Sequence, residues 1–199
     1  RLSRLALFNS EAPLGETPLT VAAARNNRAA LHRSRGTYDT SLPLYERALA
    51  IREGNLGSNH PDVAISLNNL AALHQAQGKH DTALPLYERA LTIQETTLGR
   101  QHPNVAGSLN NLSELHRLRG DYDTALPLNA QVLSIWQAVL GPYHPDVATS
   151  LNNLAELFRL IGDRESALPL HVRALAFRQK SLGSQHAYVA VGLHNFLRL

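Results

Sequence analysis

The sequence predicts an all-α solenoid of antiparallel helix pairs, because one segment recurs along the chain at a constant spacing. The segment HPDVAISLNNLAALH begins at residue 60, and its copies begin at residues 102, 144 and, in degraded form, 186. Successive copies are 42 residues apart, and a fixed period of roughly 20–50 residues is typical of repeat arrays. Each full copy contains two amphipathic stretches separated by a glycine, which predicts two helices per repeat.

The first helix of each pair is clearest in the repeat that begins at residue 60. One apolar face has the i, i+3, i+4, i+7 spacing of a helix and comprises Leu67, Leu70, Ala71 and His74. Pro61 suits the first helical turn, and Gly78 supplies the left-handed residue that commonly ends a helix.

The second helix follows this glycine and carries its own apolar stripe, which comprises Ala83, Tyr87, Ala90, Leu91 and Ile93. Small Ala83 and Ala90 allow two helices to approach closely, and we expect Tyr87 to fill the space between them. A proline interrupts each of these stretches, as Pro43, Pro85, Pro127 and Pro169. We expect these prolines in the first helical turn, where a proline removes no intrahelical hydrogen bond.

The repeat resembles the tetratricopeptide repeat (TPR) signature through Leu67, Leu70, Ala71, Gly78, Ala83, Tyr87 and Ala90. Its longer period, with LNNLA in the first helix and ALPLYERAL in the second, resembles the kinesin light chain type of this repeat. The resemblance implies a right-handed superhelical solenoid. Residues 1–17 are then the remnant of a preceding repeat, 18–59, 60–101, 102–143 and 144–185 are four full repeats, and 186–199 begin a partial fifth.

Three repeats depart from the pattern at positions that are apolar or aromatic elsewhere. Arg25 and Arg28 replace two leucines of the first repeat, which predicts a helix that contacts water near the N-terminal end of the array. The later departures are Asn129 and Val132 in the third repeat and Arg164 and His171 in the fourth. We expect looser packing between the helices that carry them.

A ladder of asparagine pairs is the strongest candidate binding site. Residues 65, 68, 69, 72, 75 and 76 share one face of the first helix, away from its apolar stripe. The resemblance makes this face the lining of a concave groove, in which the pairs are Asn26/Asn27, Asn68/Asn69, Asn110/Asn111 and Asn152/Asn153. A carboxamide donates and accepts hydrogen bonds, so the ladder suits an extended peptide backbone. The alternative is that one asparagine of each pair satisfies neighbouring helix or loop groups; we expect the first of each pair to be structural and the second to contact the ligand.

One helical turn further along this face lie Arg33, Gln75, Arg117 and Arg159. Arginine presents a planar fork of donors to carboxylates, which favours an acidic peptide or a C-terminal segment as the ligand. Two of these arginines have an acidic residue three positions earlier, namely Glu114 before Arg117 and Glu156 before Arg159. Such pairs can satisfy each other locally, so the acidic preference depends mainly on Arg33.

Several function classes find no support in the sequence. His60, His102, His144 and His186 occupy equivalent positions in successive repeats, so they point in parallel and do not converge on a metal; we expect them to fix the loop before each first helix. There is no cysteine, nucleophile–base set or phosphate-binding glycine loop, and we predict neither an enzyme nor a cofactor. The net charge is only +3 and the basic residues are scattered, which argues against nucleic acid. We expect a cytoplasmic protein without a membrane partner.

The predicted function is protein–protein interaction, with a peptide or partner segment held in the concave groove of a scaffold or adaptor. One alternative is the regulatory or sensory arm of a larger bacterial signalling or protease protein. Another is a self-assembling structural unit, because the partial fifth repeat would leave the apolar face of Val189, Leu193, Phe196 and Leu197 uncovered.

Overall fold

A computed structural model describes residues 17–182 of the chain, and the side chains of residues 17–177. This range contains α1 (Pro18–Ser34), α2 (Tyr38–Leu56), α3 (Pro61–Ala76), α4 (His80–Leu98), α5 (Pro103–Leu118), α6 (Tyr122–Leu140), α7 (Pro145–Leu160) and α8 (Arg164–Leu182). Between residues 17 and 182 there is no strand, and the all-α prediction is confirmed. The remnant before residue 17 and the partial fifth repeat, with the residues expected to mediate self-association, lie outside the described residues.

The chain separates into two compact units, Arg1–Arg100 and Gln101–Leu199. The N-terminal unit contains α1–α4 and the C-terminal unit contains α5–α8. Each unit therefore holds two helix pairs, and each pair lies within one of the full repeats expected from the sequence.

The two helices of a pair run antiparallel, as the contacts of α1 with α2 demonstrate. Ala22 near the start of α1 packs with Ala48 and Ile51, which lie in the second half of α2. At the other end of the pair, the Ser41 hydroxyl donates a 2.7 Å hydrogen bond to the carbonyl of Ala29. Small residues on both helices allow this close approach.

The core of each unit forms between the helices of a pair and between successive pairs. In the N-terminal unit, α3 and α4 share the buried cluster of Val63, Ala64, Leu67, Ala90 and Ile93. Tyr45 of α2 is fully buried with Leu70 and Leu73 of α3, which joins the first pair to the second. In the C-terminal unit, Val147, Leu151 and Ala174 form the equivalent cluster, against which Leu133 and Trp136 of α6 pack.

The recurrent histidines start the first helices, as the sequence predicts for the described ones. The Nδ1 atoms of His60, His102 and His144 each accept a hydrogen bond of 3.1–3.2 Å from the backbone N–H two residues later. Each histidine is thus an N-cap that satisfies one of the free N–H groups of the helix start. The first repeat has Pro18 at this position, and Thr17 caps α1 instead.

The prolines of the second helices do not lie where we expect them from the sequence. Pro85 is the sixth residue of α4, in the second turn, so the carbonyl of Asp81 loses its helical hydrogen bond. The prediction of a first-turn proline is therefore wrong. Pro85 and Asp81 are both exposed, so the proline interrupts the helix on its solvent side, where such a loss is tolerated. The same arrangement occurs at Pro43, Pro127 and Pro169.

Candidate functional site

The candidate site lies on the exposed side of the first helices. On α3, Val63, Leu67 and Leu70 are buried, whereas the residues at 65, 68, 69, 72, 75 and 76 are exposed or half-buried. We call this set, with the residues 42 positions before or after them on the other first helices, the asparagine face. The helical period separates this face from the core, as the sequence predicts.

Within each unit, an asparagine of one repeat binds an asparagine of the next. Asn69 Nδ2 donates a 2.9 Å hydrogen bond to Asn26 Oδ1 in the N-terminal unit. The equivalent contact in the C-terminal unit runs from Asn153 to Asn110 at 3.4 Å. The second asparagine of a pair is therefore engaged with the first asparagine of the preceding repeat, and the expected division between a structural and a ligand-contacting asparagine is not clean.

The other asparagines of the ladder differ in their exposure. Asn26 is buried, whereas its neighbour Asn27 is exposed. Asn68 and Asn111 are half-buried. Asn152 is also half-buried, and its Oδ1 lies 3.2 Å from Nδ1 of the buried His171.

In the N-terminal unit, the residues one turn further along contact the buried tyrosines of the second helices. The hydroxyl of Tyr87 donates a 2.9 Å hydrogen bond to Gln75 Oε1. Burial raises the pKa of Tyr45, and the positive charge of the nearby Arg33 partly opposes that rise. The side-chain oxygen of Gln75 is thus already used in a contact within the fold, and Arg33 lies close to the buried Tyr45.

In the C-terminal unit, both arginines of the face form bidentate ion pairs with the glutamates three residues earlier. Arg117 contacts Glu114 at 2.6 and 2.7 Å, and Arg159 contacts Glu156 at the same two distances. The hydrogen bonds raise the pKa of Arg117 and Arg159 and lower that of Glu156. A partner carboxylate would have to displace a glutamate from either arginine.

The C-terminal unit has a cavity of about 440 Å³ on its asparagine face. Six of its lining residues are expected from the sequence, namely Asn110, Glu114, Arg117, Asn152, Asn153 and Glu156. The structure adds Ser113, Asn129 and Leu157, and it leaves Asn111 and Arg159 outside the lining.

The substitution of Asn129 for an aromatic residue is the sequence signal for this cavity. Asn129 is 4% exposed and occupies the position that Tyr87 fills in the second repeat. The sequence predicts looser packing at this position but does not specify a cavity that opens onto the asparagine face.

Within residues 17–182, no three histidine, aspartate or glutamate side chains approach closely enough to hold a metal ion. None of the helices in that range has the length and apolar character needed to cross a membrane.

Comparisons with known proteins agree with the helical repeat fold. The tetratricopeptide repeat family model matches residues 20–96, 66–135 and 104–180. A crystal structure of the nearly identical TPR-like repeats of a candidate kinesin light chain from Podosopora anserina is 28% identical with a TM-score of 0.81, and the alignment covers 92% of this chain and 86% of that one. A single-substitution variant of the same repeats is 27% identical with the same TM-score and coverage.

BtubC (BKLC) from P. vanneervenii is 25% identical with a TM-score of 0.81, and the alignment covers 98% of this chain and 77% of that one. No curated protein matches the chain. These matches confirm the TPR fold class and the likeness to kinesin light chain repeats. The chain belongs to the tetratricopeptide repeat family.

Proposed function

We propose that this protein is a scaffold or adaptor that binds an extended segment of a partner protein along the asparagine face. Repeats of this family are generally protein-interaction modules and are typically non-catalytic. The observation that supports the proposal most is the row of carboxamides on the first helices of each unit, of which only Asn26 is buried among the asparagine pairs. Half-exposed carboxamides can hydrogen-bond a peptide backbone at modest desolvation cost, because they already contact water.

The test is a peptide-display selection on the purified protein and on two matched variants. Ala72 of α3 and Ala50 of α2 are both half-buried alanines of the N-terminal unit, but only Ala72 lies on the asparagine face. We expect the wild type and Ala50→Arg to enrich the same motif and Ala72→Arg to lose it. Equal enrichment by Ala72→Arg, with circular dichroism unchanged, would place binding elsewhere.

The acidic or C-terminal character of the segment is a finer part of the proposal and depends on Arg33. The equivalent residues of the C-terminal unit, Arg117 and Arg159, are occupied by their own glutamates. Arg33 has Ala30 three residues earlier instead of a glutamate. We expect Arg33→Gln to remove acidic residues from the enriched motif; a motif that stays acidic would exclude Arg33 as their partner.

A further inference from the structure

The cavity of the C-terminal unit lies where the N-terminal unit holds a tyrosine ring. Tyr45 and Tyr87 are at most 1% exposed and fill the space between the helices of their pairs. Asn129 occupies the same position of the third repeat with a much shorter side chain, and it lines the cavity of about 440 Å³. The missing ring thus leaves room for a group from outside the protein.

The orientation of the Asn129 carboxamide follows from its neighbours. The Ser113 hydroxyl donates a 3.0 Å hydrogen bond to the carbonyl of Ala125, so its oxygen can only accept from another side chain. Asn129 Nδ2 donates to that oxygen at 3.2 Å. The other end of the carboxamide, Oδ1, is buried and has no hydrogen-bond partner among the described residues. Asn129 lines the cavity, and a donor on an entering group would satisfy this acceptor, whose lack of a partner is otherwise unfavourable.

The charges of the cavity favour an uncharged ligand. Each carboxylate of the lining is bound by an arginine, Glu114 by Arg117 and Glu156 by Arg159. An incoming cation would find no unpaired carboxylate, and an incoming anion would have to break one of these bidentate pairs. A neutral group that both donates and accepts avoids both costs.

We infer that the cavity takes the carboxamide side chain of a glutamine or asparagine from the partner segment, with its NH₂ group donating to Asn129 Oδ1. Carboxamide pairing is already the contact that joins successive repeats on this face, as in Asn69 to Asn26. The inference rests on the proposed function, because it names one side chain of the bound segment.

The first test uses small probes on the isotope-labelled protein and does not require a peptide ligand. Propanamide stands for the carboxamide, and butylamine, p-cresol and propionate stand for lysine, tyrosine and acidic side chains. We expect propanamide alone to shift the side-chain amide signals of Asn129 saturably, with a Kd on the order of 10 mM, as befits so small a ligand.

Two variants separate the cavity from its buried acceptor. Asn129→Tyr should close the cavity, and the first repeat shows that a tyrosine fits beside an arginine, as Tyr45 does beside Arg33. Asn129→Leu keeps the branched shape of the side chain but removes the acceptor. Propanamide binding, followed through backbone amide shifts of the lining residues, should weaken at least tenfold in both variants.

Stronger binding of another probe, an absence of saturable shifts, or undiminished propanamide binding to Asn129→Leu would overturn the inference. In the display selection, we expect one glutamine or asparagine position of the motif to be lost with Asn129→Tyr while the remaining motif persists. A motif without such a position would overturn the carboxamide assignment but leave peptide binding intact. Failure to enrich any motif would count against the proposed function. The probe titration would still show whether the cavity binds a carboxamide.

Discussion

The contact between Asn69 and Asn26 makes a quantitative prediction about stability. Replacement of Asn69 by alanine removes a neutral hydrogen bond of 2.9 Å, which contributes about 0.5–1.5 kcal/mol. It also deprives Asn26 Oδ1 of its donor in a side chain that is only 8% exposed, for which the cost is about 1–3 kcal/mol. These two figures describe one event, so we expect the free energy of unfolding to fall by about 1–2 kcal/mol.

The assay is equilibrium unfolding in urea, followed by far-ultraviolet circular dichroism. The control is Asn27→Ala, because Asn27 is adjacent on α1 but exposed, and its loss should change the stability by less than about 0.5 kcal/mol. In a double-mutant cycle, Asn69 and Asn26 should show a coupling of about 0.5–1.5 kcal/mol. If Asn69→Ala and Asn27→Ala changed the free energy of unfolding equally and showed no coupling with Asn26, the reasoning would be refuted. Asn69 would then be available only for ligand binding.

Four further predictions follow from other contacts. Tyr87→Asn should lower the free energy of unfolding by about 3 kcal/mol, because it empties the buried site of a ring. Asn129→Tyr should lower it by less than about 1 kcal/mol or raise it, because the ring would fill a cavity. Equal losses in urea titrations of the two variants would contradict this difference in packing. Gly78→Ala should lower the free energy of unfolding by about 1–2 kcal/mol, because φ is 73° at this residue. Gly107 is exposed within a helix, and Gly107→Ala should raise the free energy of unfolding by about 0.5–1 kcal/mol in the same urea titration. The hydrogen bonds from Arg159 lower the pKa of Glu156. The stabilisation by this pair should therefore be complete above the usual pKa of a glutamate and should be lost as the pH falls through the lowered pKa. A carboxyl ¹³C titration that gave Glu156 an ordinary pKa would contradict this. The sequence expectation of self-association predicts a sedimentation coefficient that rises with concentration, and a constant monomer value would exclude it.

Local features of the fold could be read from the sequence because they depend on residues close together in the chain. The role of His60 before α3, the helix end at Gly78 and the pairing of Glu114 with Arg117 all involve neighbours within one or two turns, although the N-cap hydrogen bond of His60 is known only from the structure. The position of the regularly spaced proline within each second helix was harder to predict from the sequence. Pro85 is tolerated in the second turn because that side of α4 is exposed, which is a property of the packed structure.

Contacts between repeats could be predicted only in part. The period of the sequence places the asparagines on one face, but it does not say that Asn69 reaches back to Asn26, since that depends on the offset between stacked helices. In the same way, Asn129 indicates a missing ring, whereas the direction in which the resulting space opens is set by α5, α6 and α7 together.

The most direct test of the central claim is a map of where an enriched peptide contacts the protein. Backbone amide shifts of the labelled protein should change most on the asparagine face, at residues such as Asn27, Ala72 and Asn111. They should change least on the exposed sides of the second helices, for example at Glu46 and Ala130. Shifts concentrated on the second helices would contradict the account, because the partner would then bind the side of the repeats that carries no carboxamide row.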